Sequence, residues 1–444
     1  MCVVGAGISN TPLIHALLSA GIDTEVRDKR TYEQMGSAAH SFEAAGAKLC
    51  LGQRYLENIE ADTIFRTPGL MPHSPGLREA VARGSVLTSE TEAFFDVCPC
   101  RIVAVTGSDG KTTTTSLIAD MLSRSGIRAH TGGNIGSPLL YAADSMSPSD
   151  IAVLELSSFQ LITLGKSPDI SVVTNLSPNH LDVHSDFEEY AGAKRNIFSH
   201  QSGSGLAVFN YDNEHTRNWA FEALGKTAFF SRAGAVENGF YAQDGSIYES
   251  EGGQGGFFMR IDEFTLPGAH NIENLMAAFA AVRSIASRRA MLETAHAFRG
   301  VPHRIEFIRE LRGARYYNDS IASSPSRTIA GLRAFDRKVI LIAGGKDKGI
   351  GFEELGAEIP KRVKNLVLTG ATAERIRASV AGAVGYDGTP AIFMVDDFAD
   401  AVMKAAEIAA DGDVVLLSPA CTSFDRFNNF EERGDAFRNI VMGL

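Results

Sequence analysis

The sequence has few cysteines, and they are scattered. Its 444 residues include five, at Cys2, Cys50, Cys98, Cys100 and Cys421. Their positions form no paired framework, and Cys98-Pro-Cys100 has the spacing of neither a zinc site nor a thioredoxin motif. This usage argues against a disulfide scaffold and predicts a protein of the reducing cytoplasm.

Runs of basic residues and long apolar runs are also missing. Acidic residues outnumber basic ones by 53 to 42, and no lysine or arginine stripe offers a surface to nucleic acid. Apolar runs such as KVILIA have the length of a strand, far short of the roughly 20 residues that span a bilayer. The N-terminal MCVVGAGISNTPLIHALLSAG lacks a basic leader and predicts strand, turn and helix. We expect no nucleic-acid partner and no membrane partner, and we expect a monomer.

What the sequence does contain is a repeated α/β pattern. A short β-branched run followed by a glycine turn and a helical period occurs three times, at CVVGAG, RIVAVTGSDGKT and KVILIAGGKDKG. We predict an α/β fold of three domains: a Rossmann-like domain at 1–93, a P-loop ATPase-like domain with a mostly parallel sheet at 94–299, and a Rossmann-like, doubly wound domain at 300–444. The glycine-rich ESEGGQGGFF predicts a hairpin or an exposed loop.

The stretch AVTGSDGKTTTTS, residues 104–116, predicts a phosphate-binding loop. It ends an apolar run and opens an amphipathic one, so backbone N–H groups can converge on a phosphate at a helix N-terminus. The lysine adds charge, and a threonine hydroxyl can hold Mg²⁺. The usual motif has glycine where Val105 stands, and an ordinary strand-to-helix turn is the alternative. The expected ATP contacts are Gly107, Ser108, Asp109, Gly110, Lys111, Thr112 and Thr113.

The first glycine turn, Gly5-Ala6-Gly7, has part of a dinucleotide-binding pattern. Asp28 ends the next strand about 20 residues further on, where such a unit has its ribose-binding acid. The third glycine of the pattern is missing, because its position is Asn10. A plain turn, or a nucleotide other than a dinucleotide, therefore stands beside a nicotinamide-dependent oxidoreductase as an interpretation.

Further polar residues follow two later strand-like runs. Glu155 ends IAVLEL, and a carboxylate beside a phosphate loop can reach Mg²⁺ directly or through water. His180 and His184 in SPNHLDVH have the i, i+4 spacing of a zinc-binding helix. The preceding Ser-Pro-Asn and the missing glutamate favour a loop instead. A surface glutamate and structural histidines are the alternatives.

Several motifs, in sequence order, resemble those of the Mur ligase family. They are GSDGKTT, ELSSFQL, SPNHLD with AGAKRNIF, GAHNIENLMAA, PHRIEFI, NDSIASSP and LSPACTSFDRFNNFEERG, and they cover essentially the whole chain. The resemblance implies a three-domain enzyme of peptidoglycan precursor synthesis, in which ATP converts a carboxylate into an acyl phosphate that an amine attacks. ELSSFQL and the closing motif imply UDP-N-acetylmuramoyl-L-alanine and D-glutamate as substrates.

The resemblance also implies roles for individual residues. The first domain would bind UDP through Ser9, Asn10, Asp28, Lys29, Arg30, Thr67, Pro68 and Gly69, and Asn134 would lie beside the muramoyl group. The ATP set gains Asn271, Asn274, Arg304 and Asp319, although the asparagines and Asp319 could instead cap helices. Thr112 would hold one Mg²⁺, and a second would be held by Glu155, His180 and a Lys194 carbamylated by CO₂. The implied catalytic set is Lys111, Glu155, His180 and Lys194.

Recognition of D-glutamate requires a cation and several neutral donors, because two carboxylates must be bound. The matching positions are His180, Ser323, Lys348, Ser423 and Phe430, the last through its backbone N–H. The family more often reads NDSKATN where this chain reads NDSIASS. Ser323 keeps a hydroxyl, whereas Ile321 removes a lysine near the nucleotide.

Three rival functions stay open at this point. They are a Mur-type ligase for L-alanine or a diamino acid, a dinucleotide-dependent oxidoreductase, and a catalytically silent nucleotide-binding regulator. The oxidoreductase leaves Lys111 and Glu155 unexplained. Because the phosphate loop lies in the middle domain while Lys348 and Ser423 lie in the last, we also expect domain closure during the reaction.

Overall fold

The computed structural model describes residues 1–7, 9–134, 138–180, 183–347, 349–384 and 386–444. They form an α/β fold with three mostly parallel sheets, which confirms the α/β class predicted from the repeated strand and helix pattern. By its internal contacts the chain divides into two compact units. The first contains Met1–Glu263 and Ile272–Ala295, and the second contains Phe264–Asn271 and His296–Leu444. No helix in the described ranges is both long and apolar enough to cross a membrane.

The N-terminal sheet of the first unit has five parallel strands. They are β1 (Cys2–Val4), β2 (Glu25–Asp28), β3 (Lys48–Leu51), β4 (Thr63–Arg66) and β5 (Val86–Thr88), in the spatial order β3-β2-β1-β4-β5. The accompanying helices are α1 (Asn10–Ser19), α2 (Tyr32–Met35), α3 (Ser37–Ala44), α4 (Pro75–Ala82) and α5 (Glu90–Val97). Both faces are buried, with Val3 in one apolar cluster and Val4 in another. The carboxyl ends of β1, β2 and β4 meet at one edge.

The second sheet of the first unit has nine strands. They are β6 (Arg101–Thr106), β7 (Ala129–Gly133), β8 (Ile151–Glu155), β9 (Ile170–Val173), β10 (Leu206–Asn210), β11 (Lys226–Ser231), β12 (Gly239–Gln243), β13 (Ser246–Glu251) and β14 (Gln254–Arg260). Their spatial order is β14-β13-β12-β11-β10-β9-β6-β8-β7. The predicted glycine hairpin is confirmed, since β13 and β14 pair antiparallel across Gly252-Gly253. Both glycines have positive φ, 55° and 79°, as the tight hairpin turn requires.

Helices follow most strands of the second sheet. They are α6 (Lys111–Arg124), α7 (Ser158–Leu161), α8 (Phe187–Ser199), α9 (Glu214–Trp219), α10 (Ala269–Val282) and α11 (Arg288–Ala297), with short 3-10 turns at Leu140–Ser145 and Ile261–Glu263. Asp186 begins α8 as an N-cap, because its side chain accepts a hydrogen bond from Glu189 N. This cap fixes where the helix that carries Lys194 starts.

The sheet of the second unit has six strands. They are β15 (Glu306–Leu311), β16 (Ala314–Asn318), β17 (Val339–Ala343), β18 (Val363–Leu368), β19 (Ala391–Met394) and β20 (Val414–Leu417), in the order β15-β16-β20-β17-β18-β19. Only the β15–β16 pair is antiparallel. The helices are α12 (Pro325–Arg333), α13 (Glu353–Arg362), α14 (Ala373–Ala381), α15 (Phe398–Ile408) and α16 (Phe430–Gly443). Side chains of β17 alternate between two buried clusters, so both faces are covered.

Candidate active site

The predicted phosphate loop is a tight turn between β6 and α6. It needs glycine at two positions, because Gly107 has φ of 148° and Gly110 has φ of 81°. A Cβ atom at Gly107 would overlap the Thr174 hydroxyl, and one at Gly110 would overlap the Asn274 side chain. The backbone of the turn is therefore packed on two neighbouring segments of the first unit, and α6 begins directly after it at Lys111.

Asn175, which follows β9, holds the other side of this loop. Its backbone carbonyl accepts a hydrogen bond from Ser108 N at 3.0 Å, and its side-chain oxygen accepts one from Asp109 N at 2.9 Å. Lys111 Nζ donates to the carbonyls of Gly107 and Ser108 at 2.8 and 2.9 Å. The lysine and the loop predicted from the sequence are thus in contact. A phosphate bound here would replace those carbonyls as the partner of the ammonium group.

Glu155 lies beside the loop, at the carboxyl end of β8. Its Oε2 accepts a hydrogen bond from Thr112 Oγ1 at 2.6 Å, and its Oε1 accepts one from Asn134 Nδ2 at 2.7 Å. Glu155 and Thr112 are both buried. Thr112, Asn134 and Glu155, which lie apart in the sequence, are therefore in contact in the structure. The alternative that Glu155 is a surface glutamate is wrong.

Lys194 is buried under the same loop. It is 2% exposed, and its Nζ donates to Gly107 O at 2.8 Å and to Thr106 Oγ1 at 3.3 Å. Burial, together with the nearby charge of Lys111, lowers the pKa of Lys194 well below its usual range. The alternative that Lys194 is a surface helix residue is wrong.

His180 occupies a loop rather than a helix, as its flanking residues predict. Its φ of 55° is uncommon for a residue with a side chain. Its ring packs against Phe159 with 5.2 Å between ring centroids. Backbone strain of this kind is concentrated at functional sites. His184, four residues later, is buried and bonded to Ser158 and Glu189.

The donor set fits magnesium better than a transition metal. In the described ranges, no three histidine, cysteine, aspartate or glutamate side chains are placed to hold an ion together. The site offers the hydroxyl of Thr112 and the carboxylate of Glu155, which are oxygen ligands. Magnesium in nucleotide sites is commonly held by one or two such side chains together with phosphate and water oxygens.

A second group of predicted residues meets at the edge of the N-terminal sheet. The Asp28 carboxylate accepts hydrogen bonds from Ala6 N at 2.8 Å and from the Arg30 guanidinium at 2.7 and 2.9 Å. Thr67 N donates to Val4 O at 2.8 Å, which places Thr67 against the Gly5 turn. Arg30 is half-buried over this turn, since it also donates to Ala6 O at 2.8 Å. At this edge of the N-terminal sheet, Arg30 therefore covers the Asp28 carboxylate, which in a dinucleotide site would be free to bind the ribose.

The remaining predicted residues of that edge differ in position. Asn10 is the first residue of α1 and is buried, with its amide donating to Gly5 O at 2.9 Å. It therefore braces the turn from inside. Ser9 and Pro68 are half-exposed, and Lys29 and Gly69 are exposed.

In the second unit, Asp319 follows β16 and is buried. Its carboxylate accepts hydrogen bonds from Ser418 Oγ at 2.7 Å and from Ile305 N at 3.3 Å. Burial raises the pKa of Asp319 to about 7, and the charge of Arg304 opposes that rise. His303 and Ile305, on either side of Arg304, have φ of 64° and 46°, so strained backbone holds Arg304 near Asp319. Asp319 caps no helix, since α12 begins at Pro325.

The predicted D-glutamate residues also belong to the second unit, apart from His180. Ser423 is 2% exposed, and Ser323 is half-exposed after the β16 turn. Phe430 is the first residue of α16, so its N–H lies outside the helical hydrogen-bond ladder. Lys348 lies outside the described residues. Near Ile321, Arg327 Nη1 donates to the Ile321 carbonyl at 3.3 Å, and its charge acts on Asp319.

The two predicted adenine residues are both buried and both lie inside α10, which begins at Ala269. Asn271 Nδ2 donates to Pro267 O at 2.6 Å. Asn274 Oδ1 accepts a hydrogen bond from Thr114 Oγ1 at 3.4 Å and so contacts the first turn of α6. Neither asparagine stands before the first turn of α10, and the alternative that they cap it at its start is wrong.

Sequence reasoning missed several residues that build the phosphate loop. Tyr190 OH lies 2.9 Å from Ser108 Oγ, and Ser108 Oγ also accepts a hydrogen bond from Ser177 N at 2.9 Å. Thr174 Oγ1 donates to the Asp109 carbonyl at 2.5 Å. Thr174, Asn175 and Ser177 follow the strand-like run ISVV, so the carboxyl end of that strand was the available signal. Tyr190 carries no such signal.

Comparison with known proteins agrees with this geometry. The chain matches the Mur ligase middle domain over residues 105–282 and the Mur ligase glutamate ligase domain over residues 303–421. It is 46% identical to a UDP-N-acetylmuramoylalanine–D-glutamate ligase of Ruminiclostridium cellulolyticum and 47% identical to one of Clostridium acetobutylicum. Each match covers 100% of this chain and 96% of the relative.

Solved structures show the same fold at lower identity. A UDP-N-acetylmuramate-alanine ligase from Thermotoga maritima superposes with a TM-score of 0.56 at 16% identity. The match covers 100% of this chain and 99% of that one.

Proposed function

Because the chain belongs to the Mur ligase family, we propose that it is an ATP-dependent ligase that joins D-glutamate to UDP-N-acetylmuramoyl-L-alanine. The observation that carries the ATP-dependent part is the contact between the phosphate loop and Glu155 through Thr112. The substrates follow from the names of relatives that match over the full chain. A nicotinamide site is disfavoured, because Asp28 is already paired with Arg30.

We propose that the three sheets correspond to three domains with separate ligands. A Rossmann-like domain at 1–93 would bind the UDP moiety through Ser9, Asn10, Asp28, Lys29, Arg30, Thr67, Pro68 and Gly69. A P-loop domain at 94–299 would bind ATP and Mg²⁺, and a doubly wound domain at 300–444 would bind D-glutamate. The strand order β3-β2-β1-β4-β5 and the burial of both faces of the last sheet support this division.

The proposed reaction has two steps. A carboxylate oxygen of the alanyl group attacks the γ-phosphorus of ATP, the bond to the β-phosphate oxygen breaks, and ADP leaves. The amine of D-glutamate then attacks the carbonyl carbon of the acyl phosphate, the bond to the phosphate oxygen breaks, and the amine loses a proton as the amide forms. Both steps bring anions together, so charge neutralisation and positioning supply most of the catalysis.

Each residue of the loop has a part in that scheme. The N–H groups from Gly107 to Thr113 and the Lys111 ammonium bind the phosphates. Thr112 and Glu155 would hold Mg²⁺, which would supply charge neutralisation on the phosphate oxygens. Asn134 donates a hydrogen bond to Glu155, and we propose that it also lies beside the muramoyl group of the substrate. Asn271 and Asn274 address adenine, while Arg304 and Asp319 address a phosphate and the ribose.

We propose that Lys194 reacts with CO₂ to form a carbamate that would hold a second Mg²⁺ with Glu155 and His180. The lowered pKa of Lys194 supports this, because only a neutral amine attacks CO₂. The nitrogen would lose a proton as it bonds to CO₂, and the resulting carbamate would offer anionic oxygens, which magnesium prefers to nitrogen.

For D-glutamate we propose contacts from His180, Ser323, Lys348, Ser423 and the Phe430 N–H. Two carboxylates then meet one cation and several neutral donors. We also propose that the enzyme works in the cytoplasm, where ATP and UDP-linked sugars are made.

The test is an assay of the purified protein with ATP, Mg²⁺, UDP-N-acetylmuramoyl-L-alanine and a panel of amino acids, with phosphate release and product mass as readouts. We expect release that depends on both the UDP substrate and D-glutamate, and a product heavier by one glutamate residue. Preference for L-alanine or a diamino acid would reassign the chain within the family. Phosphate release independent of every amino acid would contradict a ligase.

A further inference from the structure

We propose that His184 is a positioning residue of the phosphate site, acting through a Ser158–His184–Glu189 hydrogen-bond network in which Ser158 and His184 are buried. This inference rests on the proposed function. This hydrogen-bond network keeps the three segments that carry Ser108, Glu155 and His180 in fixed positions relative to one another.

The hydrogen bonds fix the His184 ring at both nitrogens. Nε2 lies 2.9 Å from Ser158 Oγ, and Nδ1 lies 3.2 Å from Glu189 Oε2. Ser185 N donates to the same Glu189 oxygen at 2.8 Å, so the carboxylate is fixed in turn. His73 adds a further contact on Glu189 Oε1 at 3.5 Å.

Ring packing fixes the plane of His184. The ring is stacked on Phe159 at 5.1 Å with an interplanar angle of 5°, and it meets Tyr190 edge-on at 5.5 Å. Phe159 in turn contacts the His180 ring at 5.2 Å. In addition, His184 N donates to the His180 carbonyl at 2.9 Å, within the turn where His180 has positive φ.

These contacts reach three parts of the phosphate site. Ser158 and Phe159 lie three and four residues after Glu155 in the chain. Tyr190 OH is 2.9 Å from Ser108 Oγ in the phosphate loop. His180 is held by its carbonyl and through Phe159. Loss of His184 should therefore loosen all three segments together, while the D-glutamate residues of the second unit are untouched.

Ser158, His184 and Glu189 are hydrogen-bonded in the same succession as the serine, histidine and carboxylate of a hydrolase catalytic triad. The burial of Ser158 and His184 excludes that activity. Ser158 and His184 are each 2% exposed, and Ser158 is the first residue of α7. A nucleophile must contact its substrate, and this hydroxyl is enclosed. The arrangement orients groups and does not attack.

The test compares His184→Phe with His184→Gln in the full-length enzyme. Phenylalanine keeps the stack on Phe159 and removes both hydrogen bonds, whereas glutamine keeps a donor and an acceptor. We expect H184F to raise the half-saturating concentrations of Mg²⁺ and ATP by about tenfold, as loss of an outer-shell partner does. The KM for D-glutamate should rise less than the Mg²⁺ and ATP values, because among its proposed contacts only His180 lies in these segments. H184Q should recover part of the Mg²⁺ and ATP effect.

His215→Phe is the matched control, because His215 packs on Phe187 at the same end of α8. Among the described residues, it has no hydrogen bond or ring contact with the three segments. It should leave the Mg²⁺, ATP and D-glutamate values unchanged. If H184F does not fold, Ser158→Ala and Glu189→Ala each remove one bond to the ring and carry the same expectation. Wild-type Mg²⁺ and ATP values in folded variants, or an equal rise in the KM for D-glutamate, would overturn the inference.

Failure of the proposed function is distinguishable from failure of this inference. Magnesium-dependent binding of a non-hydrolysable ATP analogue, measured by calorimetry, needs no turnover. If the wild-type protein binds the analogue but makes no amide, the ligase assignment falls, and weaker binding by H184F still supports the positioning role. Equal binding by both proteins contradicts it.

Discussion

At the scale of single residues, Lys194 shows how burial prepares a side chain for chemistry. Its amine lies under the phosphate loop, and the acceptors at hydrogen-bond distance among the described residues, Gly107 O and Thr106 Oγ1, are both neutral. Burial and the charge of Lys111 both lower its pKa. An exposed lysine would be almost fully charged at neutral pH and slow to react with CO₂.

We expect ligase activity to depend on CO₂ through Lys194. Removal of dissolved CO₂ and bicarbonate should lower the rate of phosphate release by the wild-type enzyme, and added bicarbonate should restore it. Lys194→Ala should have a low rate under both conditions, because it has no amine to modify. The exposed Lys226→Ala should behave as wild type. The carbamate would be excluded if bicarbonate had no effect on the wild-type rate and the K194A rate equalled that of wild type.

Asp319 should make the stability of the protein depend on pH. Its folded pKa of about 7 exceeds the ordinary value of 3.8. The stabilisation by its bound proton is therefore fully present below pH 3.8 and is lost as the pH rises through 7. Relative to wild type, Asp319→Asn should gain stability between pH 5 and pH 8, measured as the urea midpoint in the absence of ligands. Asp336→Asn, at an exposed position, should differ from wild type by the same urea midpoint at every pH. A pH-independent difference for D319N as well would contradict the raised pKa of Asp319.

At the scale of elements, the turn from β6 into α6 is tightly constrained in the first unit. Gly110 combines a left-handed backbone with contact to Asn274. Gly126, just past the other end of α6, has φ of 77° and open space where a Cβ would stand. An alanine at Gly126 would therefore meet backbone strain alone, whereas an alanine at Gly110 would meet both backbone strain and steric overlap.

We expect Gly110→Ala to weaken binding of ATP strongly, because the new Cβ must displace either the turn or the Asn274 side chain, which is a proposed adenine contact. Gly126→Ala should cost only about 1–2 kcal/mol, the usual penalty for a left-handed alanine, and should keep ATP affinity. Equilibrium dialysis with labelled ATP and thermal unfolding would check both variants. Normal ATP binding by G110A would contradict the assigned geometry of the loop.

The elements also show what the sequence could predict. β6, β17 and β20 are buried along almost their whole length and read as continuous apolar runs, so their strands were predictable. β7, with the sequence AHTGG, has no such run and becomes a strand through pairing with β8. Glu155 and Thr112 were predictable from motif and strand end, whereas Tyr190 reaches Ser108 across 82 positions and depends on tertiary packing.

At the scale of the whole molecule, the phosphate loop with its metal-binding residues and most of the proposed D-glutamate residues belong to different compact units. The phosphate loop, Glu155 and Lys194 belong to the first unit, and Ser423 and Phe430 belong to the second. This division predicts that the two chemical steps can be separated by mutation.

We expect Ser423→Ala to raise the KM for D-glutamate by about tenfold, the loss of one hydrogen bond to a charged group. Isotope exchange between ADP and ATP, which needs the UDP substrate but no amino acid, should be unchanged. Ser326→Ala, at an exposed position of α12, serves as the control. An equal loss of exchange and of D-glutamate affinity would show that Ser423 supports the fold and not the amino acid.

The most direct test of the central claim uses UDP-N-acetylmuramoyl-L-alanine labelled with ¹⁸O in the alanyl carboxylate. If the phosphate loop transfers the γ-phosphoryl group to that carboxylate and D-glutamate then displaces it, each phosphate released should carry one ¹⁸O atom. Formation of the amide with unlabelled phosphate would contradict the account.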